Sequence, residues 1–119
     1  MKKITDTLNI KILDTILSNL RPPKERRVGV EIETIFYDND LKRLPVNPGN
    51  RFSAQDLMQG LISLQKNKKK PCVYSLEPGG QLEWASSPFV SLHEINSQWN
   101  DHVIQLEKLC DDNKILPID

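Results

Sequence analysis

The stretch Arg27-Val28-Gly29-Val30-Glu31-Ile32-Glu33-Thr34-Ile35-Phe36-Tyr37 decides how this chain is read. Upstream of it the apolar residues recur at helical spacing; from Arg27 onward they alternate. Val28, Val30, Ile32 and Phe36 fall on one face of an extended strand, and Arg27, Gly29, Glu31 and Glu33 on the other. Successive side chains of a strand point to opposite faces, so Glu31 and Glu33 share a face roughly 6.7 Å apart along the backbone. Like charges held side by side repel unless a cation lies between them. The ordinary source of such alternation is a strand with one wet face; the other is a site for a divalent metal with oxygen ligands, magnesium above all.

Before this strand, residues 3–20 read as an amphipathic helix. Leu8, Ile12, Ile16 and Leu20 recur every four residues with Leu13 and Leu17 beside them, and Pro22 and Pro23 end it. After it, Asp38-Asn39-Asp40 is turn chemistry, and Arg43–Val46 reads as a short antiparallel return on which Pro45 favours an edge. Ser53 is an N-cap for a helix to about Lys66 that turns Leu57, Met58, Leu61, Ile62 and Leu64 inward. The run from Lys66 to Lys70 reads as a solvated loop.

A hairpin follows. Cys72–Leu76 and Gln81–Ala85 are short apolar-alternating runs on either side of Glu77-Pro78-Gly79-Gly80, and Gln81 and Glu83 share a face. Pro78 biases Glu77 towards extended geometry, and the glycines permit a tight turn or a close backbone approach to a ligand. Ser91-Leu92-His93-Glu94 is a capping box for a helix that turns Leu92, Ile95, Trp99, Val103, Leu106 and Cys110 inward. His93, His102, Trp84 and Trp99 read as surface or packing residues, and Arg27 as one half of a structural ion pair. From Asn113 to Asp119 the chain reads as the opening of a further strand. Together these elements predict an α+β fold, an antiparallel sheet with helices packed on one face, over residues 1–119 as a single domain.

With 119 residues, 16 basic and 16 acidic, the chain has no bulk charge with which to bind nucleic acid or a membrane surface. No apolar run is long enough to span a bilayer, and no secretory h-region follows Met1. Cys72 and Cys110 lack metal-ligand spacing and read as free thiols of a cytoplasmic protein.

Two segments together carry a resemblance. Gly29-Val30-Glu31-Ile32-Glu33 and Ser75-Leu76-Glu77-Pro78-Gly79-Gly80-Gln81-Leu82-Glu83 resemble the N-terminal signatures of glutamate–cysteine ligases of the plant and proteobacterial type. The first pattern is shared by several carboxylate–amine ligases; the second is the more specific. Their order and separation, the helix between them, and Ser87-Pro88 with the capped helix after it also fit. The resemblance implies a glutamine-synthetase-like ligase fold, with ATP phosphorylating the γ-carboxylate of glutamate and the cysteine amine attacking the acyl phosphate, the first step of glutathione synthesis. It implies Mg2+ held by Glu31, Glu33, Glu77 and Glu83, and Gln81 as a polar contact to substrate. Such ligases run to several hundred residues, so it also implies the N-terminal portion of a longer catalytic domain, inactive by itself. A related γ-glutamyl ligase using another amine, and a non-catalytic binding or regulatory domain keeping the ligase fold, are the alternatives.

Overall fold

The computed structural model describes residues 2–118, with side chains from Thr7 onward; Met1 and Asp119, the last residue of the expected terminal strand, lie outside the described residues. The elements follow in the order α1 (Lys2–Ser18), a 3-10 turn (Pro23–Glu25), β1 (Glu31–Asp38), α2 (Ala54–Ser63), β2 (Val73–Leu76), β3 (Leu82–Ala85), α3 (Leu92–Asn113) and β4 (Ile115–Ile118). The four strands form one antiparallel sheet in the order β2-β3-β1-β4. The predicted α+β class with an antiparallel sheet therefore holds.

The core lies on one face of the sheet. Alternation along β1 sends Ile32, Thr34 and Phe36 inward, and the register sets Ile32 opposite Trp84 and Thr34 opposite Leu82. Phe36, Leu82 and Trp84 are almost completely buried, together with Leu57 and Leu61 of α2. Full burial of a side chain of this size contributes about 1.5–3 kcal/mol, so these five residues set the sheet–helix arrangement. From α3, Ile95, Leu106 and Cys110 complete the cluster, and Trp99 meets Trp84 edge-on with ring centroids 5.1 Å apart. Cys72 and Cys110 are both buried and free, as expected.

Both packed helices start where capping chemistry put them. Ser53 accepts from the Asp56 amide while Asp56 bonds back to the Ser53 amide, and Ser91 and Glu94 repeat the arrangement. α3 ends at Lys114, whose left-handed φ of 56° turns the chain directly into β4. The lysine run lies on the surface, with Lys68 paired to Asp101 at 3.0 Å and Lys70 to Glu94 at 3.5 Å.

Several expectations are corrected. The first helix forms but does not cover the sheet: every residue from Thr7 to Leu20 is exposed, including Leu8, Ile12, Leu13, Ile16, Leu17 and Leu20. Its projection gives a radius of gyration of 20.0 Å, against roughly 13–14 Å for a compact chain of this length. Helical periodicity creates an apolar face but does not supply its partner. The alternating run from Arg27 becomes a named strand only at Glu31; before that, Val28 makes an isolated bridge to Phe89. Arg43–Val46 makes a single bridge, Arg43 to Tyr37, because the Asp38 carboxylate accepts the amides of Asp40 and Lys42 and closes the turn early. Leu64 and Leu92, expected inward, are exposed beyond the ends of their helices' packed faces, while Gln98 and His102 are buried. The expected terminal strand does form, as β4, and pairs with β1 from Ile35↔Ile118 to Asp38↔Ile115.

Candidate functional site

The outward face of the sheet carries the acidic residues. β1 and β3 pair so that Glu33 stands directly opposite Glu83, and β2 adds Ser75 opposite Glu83 on the other side. Side chains directly opposite in an antiparallel pair are about 4.5–5.5 Å apart at Cβ, and like charges in that position destabilise the pair. Two contacts hold the carboxylates in place. Ser75 Oγ donates to Glu83 Oε1 at 2.9 Å, and Gln81 Nε2 donates to Glu33 Oε2 at 3.4 Å. Glu31 lies two residues along on the same face, opposite Ala85 and exposed.

The turn between β2 and β3 has a definite reason for its sequence. Gly80 N–H donates to the Glu77 carbonyl at 2.9 Å, closing a turn with Pro78 first and Gly79 second of its central residues. Gly79 has φ +95°, as a type II turn requires at that place. Gly80 follows at φ +84°, and a Cβ there would lie 2.8 Å from Val46 Cγ2, so the loop after β1 leaves room only for glycine. Glu77 N–H then donates to the Gln81 carbonyl at 2.9 Å, which places Glu77 opposite Gln81 at the mouth of the hairpin.

Of the residues predicted for the site, the structure brings Glu33, Glu83 and Gln81 into one cluster. Glu31 shares their face, and Glu77 stands at its rim. Among the described residues no three or more His, Cys, Asp or Glu side chains gather closely enough to hold a metal by themselves. The donor set is thus two facing carboxylates with an amide beside them. Mg2+ commonly binds through one or two carboxylates with waters and substrate phosphates completing its octahedron, and the pair fits that mode rather than an all-protein cage.

The residues of this site lie within a segment that matches a recognised sequence family. The family model for glutamate-cysteine ligase family 2 matches residues 27–115, from the basic residue before β1 to the first residue of β4. The chain belongs to glutamate-cysteine ligase family 2. It is 33% identical over 108 residues to a chloroplastic glutamate–cysteine ligase of Solanum lycopersicum, covering 82% of this chain and 20% of that protein. It is 25% identical over 112 residues to that of Medicago truncatula, covering 85% of this chain and 22% of that protein, and 26% identical over 108 residues to that of Arabidopsis thaliana, covering 82% and 20%. The chain thus spans about a fifth of the length of the curated relatives it matches.

Within this family member, some residues behave differently from their sequence reading. Ser75, which anchors Glu83, was identifiable only as part of the motif; the alternation Val73, Ser75, Glu77 is the signal that places it on the carboxylate face. Arg27 forms no ion pair among the described residues: its guanidinium donates to the carbonyls of Arg26 at 2.9 Å and Lys24 at 3.4 Å. The histidines keep packing and surface roles. His93 is exposed, whereas His102 lies buried against Trp84 and shares a 3.0 Å hydrogen bond with the Tyr74 hydroxyl. Burial pushes the Tyr74 phenol well above its usual range. Among the described residues no helix is long and apolar enough to cross a membrane.

Proposed function

We propose that this chain is the N-terminal part of the catalytic domain of a glutamate–cysteine ligase with a glutamine-synthetase-like fold. In that enzyme ATP activates the γ-carboxylate of glutamate for attack by the amine of cysteine, the first step of glutathione synthesis. The observation that carries the reading is the cross-strand pair Glu33 and Glu83, with Gln81 beside it, inside the segment that matches the family. The outward face of β1 and β3 is then the floor of the metal–nucleotide cleft, with Glu31 and Glu77 at its edges.

When bound there, Mg2+ supplies Lewis-acid stabilisation of charge on the transferring phosphoryl group and a template for the substrates. The chain's own residues do the rest. Glu33 and Glu83 offer hard oxygen donors on adjacent strands of a rigid sheet, a placement more exact than a loop allows. Ser75 fixes the Glu83 carboxylate, and Gln81 can turn its amide from Glu33 to a substrate carboxylate. The Pro78-Gly79-Gly80 turn brings backbone close to the site without side-chain bulk. The proposal places the enzyme in the cytoplasm, where two buried free thiols stay reduced, although the relatives above are chloroplast proteins.

The test uses the complete ligase polypeptide that carries this segment, assayed for ATP-dependent γ-glutamylcysteine formation. Glu33→Gln and Glu83→Gln keep shape and hydrogen-bonding capacity while removing charge. Turnover is expected to fall by roughly 100-fold or more, with an unchanged far-ultraviolet circular dichroism spectrum. Near-normal turnover of both variants at saturating magnesium would remove the acidic pair from the mechanism. The 119 residues alone leave the site open to water, which would hydrolyse an acyl phosphate, so they are expected to form no dipeptide.

A further inference from the structure

Between α1 and β1 the chain concentrates positive charge. Arg21, Lys24, Arg26 and Arg27 stand within seven residues, with Glu25 the one acid among them, on a chain of zero net charge. All are exposed. The ion pairs among the described residues join Arg51 to Asp38, Lys68 to Asp101 and Lys70 to Glu94, and none of them uses these four cations. Arg26 Nε donates to the Arg21 carbonyl at 3.3 Å, and Arg27 to the carbonyls of Lys24 and Arg26. These bonds fix the guanidinium groups but leave their charge uncompensated by a carboxylate.

Arg21, Glu25, Arg27 and Pro88 line one cleft. Its position follows from the backbone. Val28 and Phe89 exchange hydrogen bonds of 2.8 and 2.9 Å, and Val30 and Ser86 pair next to them, so an isolated bridge beyond the ends of β1 and β3 holds Val28, the residue after Arg27, beside Phe89. Arg27 precedes Glu31 by four residues, at most roughly 14 Å of fully extended chain. A cleft with two arginines in its lining thus lies ahead of the strand that carries the carboxylates. Guanidinium suits the binding of an anion there, because its planar fork binds both carboxylate and phosphate oxygens bidentately.

We propose that Arg21 and Arg27 form an oxyanion-binding cleft, which receives a carboxylate or phosphate group of a ligand. The cleft does not depend on the ligase reading. Glu25 in the lining opposes the anion and sets a limit on affinity.

The test is a titration of the 119-residue chain in metal-free buffer with pyrophosphate and, separately, with glutarate, followed by amide chemical shifts. Saturable binding with shifts centred on residues 21–28 is expected. Tighter pyrophosphate marks a phosphate cleft and tighter glutarate a carboxylate cleft. Arg21→Ala and Arg27→Ala should each weaken binding by about tenfold or more, and Arg27→Lys by less, since it keeps the charge but loses the fork. Glu25→Gln should tighten it. The remote Lys108→Ala should leave it unchanged, with circular dichroism confirming the fold of every variant. The cleft is overturned if neither probe binds at up to about 50 mM, if the arginine variants stay within twofold of the parent, or if Lys108→Ala weakens binding equally. Failure of the ligase reading appears elsewhere, as absent turnover loss in the Glu33 and Glu83 variants of the complete enzyme.

Discussion

Replacing Glu33 with Gln should reverse its effect on stability according to whether magnesium is present. Glu33 and Glu83 face each other across β1 and β3. At about 5–6 Å in a medium close to water, two unit charges repel by roughly 0.7 kcal/mol, and salt reduces this to about 0.5 kcal/mol. The amide oxygen of Gln can still accept from Gln81 Nε2, which lies 3.4 Å from the Glu33 carboxylate. The variant should therefore be about 0.5 kcal/mol more stable than the parent in EDTA. A site with millimolar affinity adds RT ln(1 + [L]/Kd) to the parent, about 1.4 kcal/mol at a concentration ten times Kd. The order of stability should then invert, with the parent ahead by about 0.9 kcal/mol. Urea unfolding followed by tryptophan fluorescence measures this well, because Trp84 lies buried below the carboxylate face. A variant less stable than the parent in EDTA, or a parent indifferent to magnesium, would refute the electrostatic account of the pair.

Other outcomes follow from the packing. Gly80→Ala forces a side chain onto a backbone at φ +84° and against Val46 Cγ2 at 2.8 Å; about 1–2 kcal/mol from the backbone and about 1 kcal/mol from crowding should be lost. Adding Val46→Ala should recover the crowding part alone in a double-mutant cycle. Burial, with Asp111 and Glu107 adding repulsion, pushes the Cys110 thiol up to about 11. The unfolded chain ionises this thiol first, so its contribution is intact below about pH 8.5 and is lost as pH rises towards 11, on the order of 2 kcal/mol; Cys110→Ala should flatten that alkaline decline in unfolding midpoints. Both thiols should react slowly with a thiol reagent in the native chain and rapidly in urea, since both are buried. Ser91→Ala removes the cap of α3 and should cost about 1 kcal/mol.

Local chemistry was enough to read much of this molecule. The period of two in Glu31–Phe36 fixed which side chains share a face, because alternation is a property of extended backbone itself. Ser53 and Ser91 marked helix starts, and Pro78-Gly79-Gly80 marked the turn, because each satisfies a requirement of its own few residues. The signatures around Glu31 and Glu83 placed the chain in its family for the same reason, being short and contiguous. What the sequence left open depends on distant partners. Only tertiary structure set Glu33 opposite Glu83 and Ser75 beside them, since register is decided by the core packing of Trp84 and Leu82 on the other face. Only it left Glu31 and Glu77 at the edge of the cluster, turned Gln98 and His102 inward, and joined β4 to β1. The first helix shows the division most plainly. Leucine and isoleucine spacing was sufficient to form it, but an apolar face is buried only where another surface meets it, and no spacing within seventeen residues can specify that surface.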